Sequence, residues 1–164
     1  MRSLILIAHN VRSCHNVGSL LRTAEGIGAR KVYLTGYTPY PANSNDTRLP
    51  HIQTKLTKKI SKTALGSHEF INWTHDSSIK RVMEQLRHDG YEICALEQTP
   101  QSLSMPDYHP SDRVAIIVGR EVEGLEAEII AKSDKILQIP MFGKKESFNV
   151  VQACAMALYH CRFY

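Results

Sequence analysis

The sequence predicts an α/β protein with a mainly parallel sheet flanked by helices. Short apolar runs of strand length alternate along the chain with segments that carry apolar residues at helical spacing. Most of the short runs are apolar throughout, which indicates strands covered on both faces, as in a parallel sheet between helices. Ligands of such sheets bind at the carboxyl ends of the strands, so we expect the functional residues there.

The N-terminal segment predicts one complete β-α-β unit. Leu4 to Ala8 reads as a buried strand, and a polar loop then leads to a helix from about Val17 to Gly26. Asn16 stands where a helix N-cap is expected, and Gly28 stands where a helix ends. Lys31 to Leu34 resumes a strand.

The remaining elements follow the same alternation. Residues Gly36 to Pro50 are rich in Thr, Pro, Asn, Ser and Asp and predict a long surface loop. Ser78 is expected to cap a helix that runs to about Asp89 and stops at Gly90. The other predicted elements are strands at Phe70 to Trp73, Tyr91 to Leu96, Val114 to Val118 and Ile136 to Ile139, with a short helix at Leu125 to Ala131.

The last helix begins near Val150 and is apolar on nearly every face, so we expect it to be buried on several sides. Ser147 or Asn149 precedes it and can cap its first amide groups. A polar ligand can use the same amides, and the local sequence leaves these two interpretations open.

Composition narrows the function classes. A chain of 164 residues predicts a single domain, residues 1–164, and a net charge of +4 permits a polyanionic partner without requiring one. The four cysteines lie far apart without metal-ligand spacing, and the eight histidines are also scattered. We therefore expect buried thiols in a reducing cytoplasm and no metal site. Because no apolar run approaches the length of a membrane span, we expect no membrane association.

Three polar clusters follow apolar runs. The first, Asn16 to Arg22, offers Arg22 as a clamp for a phosphate or carboxylate, although a surface arginine on an amphipathic helix is the ordinary alternative. The second, Gly119 to Gly124, permits close backbone approach but is neither a Walker loop nor a dinucleotide fingerprint. The third is Ser147 to Asn149. A separate basic segment, Lys55 to Lys62, fits either a solvated helix face or a phosphate contact.

Taken in order, these clusters resemble the three motifs of the SpoU/TrmH class of RNA ribose 2′-O-methyltransferases, of the SPOUT superfamily. The residues that carry the resemblance are Asn16 to Arg22, Gly119 to Gly124, and Ile139-Pro140-Met141 through Ser147-Phe148-Asn149. The resemblance implies a deep C-terminal trefoil knot, an exception to the rule that chains avoid knots. Two departures are Phe148, where Leu is frequent, and the loop from Tyr37 to Pro50.

The resemblance also implies a cofactor and a set of site residues. The cofactor is S-adenosylmethionine, and the residues expected to bind it are Leu96, Glu97, Gly119, Ile139, Met141 and Phe148. The polar residues that match the catalytic positions of the family are Asn16, Arg22, Glu121, Ser147 and Asn149.

The expected reaction is methylation of a ribose 2′-hydroxyl in structured RNA, either tRNA or rRNA. The resemblance implies a homodimer in which the first and last helices pack across the two-fold axis, and we expect no separate RNA-binding extension. Two alternatives remain at this point: a knotted methyltransferase that modifies a base, and a cofactor-binding RNA module without turnover.

Overall fold

The computed structural model describes all residues from Met1 to Tyr164. The elements are β1 (Ser3–His9), α1 (Cys14–Ile27), β2 (Lys31–Thr35), α2 (Pro50–Ala64), α3 (Ser67–Phe70), β3 (Trp73–Asp76), α4 (Ile79–His88), β4 (Glu92–Leu96), β5 (Leu103–Ser104), β6 (Arg113–Val118), α5 (Ala127–Ala131), β7 (Lys135–Gln138) and α6 (Val150–Phe163), with one 3-10 turn at Met105–Asp107.

The seven strands form one sheet in the order β3-β2-β1-β6-β4-β7-β5, and every neighbouring pair is parallel. This confirms the predicted parallel sheet flanked by helices. Leu4 and Leu6 of β1 pack on one face with α1, α2 and α6, whereas Ile5 and Ile7 pack on the other with α4 and α5. Both faces of β1 are therefore buried, which explains why this strand is apolar at successive positions.

The boundaries of α1 agree with the prediction at one end only. Gly28 ends the helix with a φ of 73°, a left-handed conformation that glycine adopts without strain. At the other end the N-cap is Ser13, whose side chain accepts a hydrogen bond from the amide of Asn16 at 3.2 Å. The prediction that Asn16 is the N-cap was wrong, because the helix begins at Cys14 and Ser13 caps it. Asn16 therefore lies within the first turn, and its side chain is available for other contacts.

Two further expectations need correction. The strand expected at Phe70 to Trp73 begins only at Trp73, which pairs with Val32 of β2, and Phe70 instead closes the short helix α3. Helix α6 is buried within the chain mainly on the side that carries Cys154, Ala157 and Leu158. Its other side, expected to be buried too, is open: Met156, Tyr159 and Phe163 expose 37%, 60% and 68% of their surface.

The helix after Ser78 was predicted correctly. Ser78 accepts a hydrogen bond from the amide of Arg81, and Ile79, Val82, Met83 and Leu86 are all buried. None of the helices is both long and apolar enough to cross a bilayer.

Candidate active site

The candidate site lies where the carboxyl ends of β4, β6 and β7 meet. These strands are neighbours in the sheet, with Ala95 beside Ile117 and Leu96 beside Leu137, so the loops that follow them converge at one edge. The loops enclose a cleft of about 190 Å³. The cleft is lined by Leu96, Glu97, Gln98, Val118, Gly119, Arg120, Glu121, Val122, Glu123, Gly124, Leu137, Gln138, Ile139, Met141, Glu146, Ser147, Phe148, Val150 and Ala153.

All six residues that the sequence nominated for cofactor binding line this cleft. Leu96 and Glu97 come from the end of β4, Gly119 follows β6, and Ile139, Met141 and Phe148 follow β7. Residues separated by more than 50 positions in sequence are brought together because their strands pair. The lining is mixed: nine of the 19 residues are hydrophobic, and four carboxylates and one arginine lie among the others.

Glu97 holds two of the loops in place. Its carboxylate accepts hydrogen bonds from the amide of Leu125 at 2.8 Å and from the amide of Gln98 at 3.0 Å. Gly124 lies against this carboxylate with a φ of 67°, and a Cβ there would come within 2.2 Å of Glu97 Oε2. Only glycine fits at position 124, which explains the second glycine of the Gly119 to Gly124 cluster.

Glu121 joins the cleft to the start of α1. Its Oε1 accepts hydrogen bonds from the Asn16 side-chain amide at 3.0 Å and from the amide of Ser13 at 3.1 Å, and its Oε2 accepts from the amide of Arg12 at 3.3 Å. Partial burial opposes ionisation of Glu121, but the hydrogen bonds, that from Asn16 foremost, outweigh it and lower the pKa of this carboxyl. Since α1 has no acidic residue in its first turn, Glu121 supplies the negative charge that its N-terminus favours.

The residues before α6 divide between the two possible roles. Asn149 is the N-cap, and its Oδ1 accepts a hydrogen bond from the amide of Val151 at 2.9 Å. Ser147 lines the cleft instead. The capping interpretation therefore holds for Asn149, while the Ser147 side chain makes no capping hydrogen bond.

Arg22 does not lie in the cleft. It is exposed on α1 and lines a separate shallow groove with Ser19, Thr23, Gly26, Ile27 and Thr63. The six positions from Asn16 to Arg22 correspond to about 9 Å along a helix and about 240° around it, so the two side chains leave different sides of α1. The guanidinium makes no hydrogen bond or ion pair within the chain.

A cluster next to the cleft was missed by the sequence reasoning. The Asn10 side-chain amide donates to Glu126 Oε1 at 3.0 Å, His9 Nε2 lies 3.3 Å from Glu126 Oε2, and Arg120 lies 3.7 Å from Glu126 Oε1. Burial lowers the pKa of His9, which favours the neutral ring. Glu126 thereby ties the end of β1 to the loop that contains Arg120. Arg120 belongs to a cluster noted in the sequence, but nothing in the local pattern relates Glu126 to His9.

These features define an α/β protein with a ligand cleft at the carboxyl edge of a parallel sheet, formed by three loops that are braced by carboxylate–amide hydrogen bonds. Residues 3–159 match the family described as the SpoU rRNA Methylase family. The chain belongs to this family.

Two curated relatives illustrate the match. The tRNA (guanosine(18)-2′-O)-methyltransferase of Borreliella burgdorferi is 26% identical over 156 residues, which cover 95% of this chain and 64% of that protein. The 23S rRNA (guanosine(2553)-2′-O)-methyltransferase RlmP of Bacillus subtilis is 28% identical over 160 residues, which cover 96% of this chain and 57% of that protein. The chain thus spans about three fifths of the length of these relatives.

Solved structures support the fold. An AdoMet-bound rRNA methyltransferase from Sinorhizobium meliloti superposes with a TM-score of 0.80 at 22% identity, covering 98% of this chain and 56% of that one. A structure described as giving insights into the 2-OH methylation of C/U34 on tRNA superposes with a TM-score of 0.79 at 21% identity. The superposition covers 98% of this chain and 94% of that one. At these identities the likeness shows the fold alone.

Proposed function

We propose that this protein is an S-adenosylmethionine-dependent methyltransferase that modifies a ribose 2′-hydroxyl of structured RNA, either tRNA or rRNA. The observation that carries the proposal is the cleft, where the segments matching the second and third family motifs meet and where Glu121 binds Asn16 of the first. Family membership and the names of the two relatives, one acting on tRNA and one on rRNA, support this reaction and this substrate class.

The residues of the cleft fit S-adenosylmethionine. Leu96, Ile139, Met141 and Phe148 provide apolar surface suited to an adenine ring, and Gly119 lines the cleft beside them. Glu123 and Glu146 are acidic groups that suit the positive charges of a sulfonium and an ammonium. When bound, S-adenosylmethionine supplies an activated methyl group.

The polar residues divide into positioning and contact roles. Glu121 fixes Asn16 and the start of α1, and Asn149 fixes the start of α6, so both act on the shape of the site. Ser147 faces the cleft and is placed to contact the ribose or the cofactor. Much of the rate enhancement then comes from alignment of hydroxyl and methyl group. Arg22 is assigned as the contact to an RNA phosphate, because a guanidinium is too basic to accept the hydroxyl proton readily.

The position of Arg22 supports a homodimer. Its guanidinium is exposed and lies outside its own cleft, so a second copy is required if Arg22 is to meet bound substrate there. Helix α6 offers the apolar stripe Met156, Tyr159 and Phe163 for such an interface. We place the first and last helices at the two-fold axis, with Arg22 of one protomer facing the cleft of its partner.

A C-terminal trefoil knot is also part of the proposal. The chain leaves β7 near one edge of the sheet, lines the cleft with Ile139, Met141 and Glu146 to Phe148, and returns in α6 to pack against α1, β1 and β6. The loop from Gly119 to Gly124 lines the same cleft, so the two segments lie close together, as a knot requires. An experimental density map that traces the last segment outside that loop would contradict the knot.

The buried thiols fit a reducing cytoplasm. Cys94, Cys154 and Cys161 are buried and form no disulfide, and burial raises the pKa of Cys161 to about 12. A thiol of this kind stays protonated and unreactive.

The reaction is tested by methyl transfer from labelled S-adenosylmethionine to total tRNA and, separately, to rRNA from cells that lack this protein. Nucleoside digestion should release a labelled 2′-O-methyl nucleoside from one pool. Label in a base would favour the base methyltransferase. Absence of label from both pools, with cofactor binding retained, would favour an RNA module without turnover.

The role of Arg22 across the dimer is tested by complementation. Arg22→Ala and Ser147→Ala are each expected to lose methyl transfer, and Arg22→Ala should keep its affinity for S-adenosylmethionine. When equal amounts are unfolded and refolded together, the two variants should recover about one quarter of the wild-type sites, because about half of the dimers are then heterodimers and one cleft of each is intact. No recovery would place Arg22 and Ser147 of the same chain in one site, and activity of Arg22→Ala alone would exclude the assigned role.

A further inference from the structure

Helix α2 carries a face of four exposed lysines: Lys55, Lys58, Lys59 and Lys62, called here the α2 lysine face. With about 100° of rotation per residue, these four positions fall within an arc of about 100°. The opposite side of α2 buries Ile60 and Ala64 in the core. The lysines therefore project together, away from the body of the protein.

No acidic group balances this face. The sequence of α2 contains no Asp or Glu, and none of the four lysines takes part in an ion pair. Their spacing creates like-charge neighbours three and four residues apart, an arrangement that destabilises a helix. By contrast, Lys80 and Lys132 on the other side of the sheet both pair with Glu128, at 2.6 and 3.2 Å. Repulsion among these lysines therefore destabilises the folded protein. Their clustering is explained by a function other than stability.

The face lies beside the groove that contains Arg22. Helix α2 packs closely on α1 at Gly18, where a Cβ would come within 2.2 Å of the Ile60 carbonyl oxygen. Thr63 donates a hydrogen bond to the His15 carbonyl at 2.7 Å and also lines the Arg22 groove. Since Lys62 precedes Thr63 and Lys59 lies one turn before it, the positive charge of α2 continues to Arg22.

We propose that the α2 lysine face binds the phosphate backbone of the RNA substrate and leads the strand toward Arg22. The inference rests on the proposed function and adds a named RNA-binding surface to it. From Lys55 to Lys62 the face is about 10 Å long. One nucleic-acid strand carries a charge about every 3.4 Å of its axis, so about three phosphates lie within reach.

The test compares two variants of equal charge. In one, Lys55, Lys58 and Lys59 are replaced by glutamine; in the control, Lys80, Lys132 and Lys135 are replaced in the same way. Because lysine and glutamine have similar helix propensity, α2 is expected to form in the first variant, and circular dichroism checks this. Binding of total tRNA is measured by filter retention from 50 to 200 mM KCl, and the KM for RNA is measured in methyl transfer.

The α2 variant should bind tRNA about 10- to 100-fold more weakly at about 100 mM salt, with a slope of log K against log salt that is smaller by about 2 to 3. Its KM for RNA should rise accordingly. The control variant should stay within about twofold of wild type in affinity, because its lysines lie on the far face or edge of the sheet.

Failure of this inference is distinct from failure of the proposed function. If the wild-type protein methylates RNA while the α2 variant keeps wild-type affinity, salt slope and KM, the α2 lysine face does not bind RNA, and an acidic protein becomes the better candidate partner. Equal losses of tRNA affinity in both variants would show a general effect of net charge and would also overturn the proposed role of the α2 lysine face. A wild-type protein without methyl transfer to either RNA pool would instead refute the proposed function.

Discussion

Replacing Gly119 by alanine tests whether the cleft depends on close packing of the loop that follows β6. A Cβ at this position would lie 2.8 Å from Leu125 Cδ2 and 2.9 Å from the carbonyl carbon of Gly124. These contacts are at least 0.5 Å shorter than the 3.4 Å at which ordinary contact begins. Leu125 is buried and Gly124 is backbone held against Glu97, so the loop itself has to move.

The expected cost follows from this overlap. Overpacking of this kind costs about 1–3 kcal/mol, and the smaller entropy of the unfolded alanine chain offsets about 0.4–1 kcal/mol of it. The net loss of about 1–2 kcal/mol corresponds to a fall in Tm of about 2–8 °C for a chain of this length. Because Gly119 lines the cleft, displacement of its backbone should also weaken binding of S-adenosylmethionine about tenfold, or about 1.4 kcal/mol.

The assays are thermal unfolding and calorimetric titration with S-adenosylmethionine. Gly143→Ala is the matched control, since Gly143 lies in the loop before α6 and a Cβ there meets nothing within 4 Å. The control should stay within about 0.5 kcal/mol of wild type. Wild-type Tm and cofactor affinity in Gly119→Ala would refute the packing and the position of the cleft together.

Three other predictions follow from the contacts described above. Gly18→Ala should destabilise the protein by about 1–3 kcal/mol, because its Cβ would meet the Ile60 carbonyl oxygen at 2.2 Å, whereas Gly26→Ala in the same helix, with no atom within 4 Å, should be neutral or stabilising; equal unfolding midpoints in urea would contradict this. Glu121→Gln should lower Tm at neutral pH, because the hydrogen bonds of the Glu121 carboxylate stabilise the fold only while it is ionised. The difference in Tm from wild type should vanish as pH falls below 4.5 and through the lowered pKa of this carboxyl. A difference in Tm that persists in acid would show another cause. Arg162→Ala should cost about 1.5–3 kcal/mol of unfolding free energy, because its guanidinium donates to the carbonyls of Ile27, Gly28 and Arg2 at 3.1, 2.6 and 2.6 Å; an unchanged urea midpoint would rule out that contribution.

Local sequence was sufficient to predict those features of the fold in which a residue's role depends on its neighbours in the chain. Apolar runs identified the principal strands, since burial on both faces leaves no position for a polar side chain. Gly28 marked the end of α1 because only a left-handed residue continues the chain there. The second and third motif segments pointed to loops of the cleft, because strands that run parallel end at the same edge.

Tertiary structure decided the features that depend on partners distant in sequence. The start of β3 at Trp73 is set by its pairing with Val32, and the partners of Glu121 lie more than 100 positions away in α1 and the loop before it. The side of α1 on which Arg22 lies, and the side of α6 left open, follow from how the helices pack on the sheet. Periodicity shows that a helix has an apolar face, but which neighbour covers that face is determined only when the whole chain has folded.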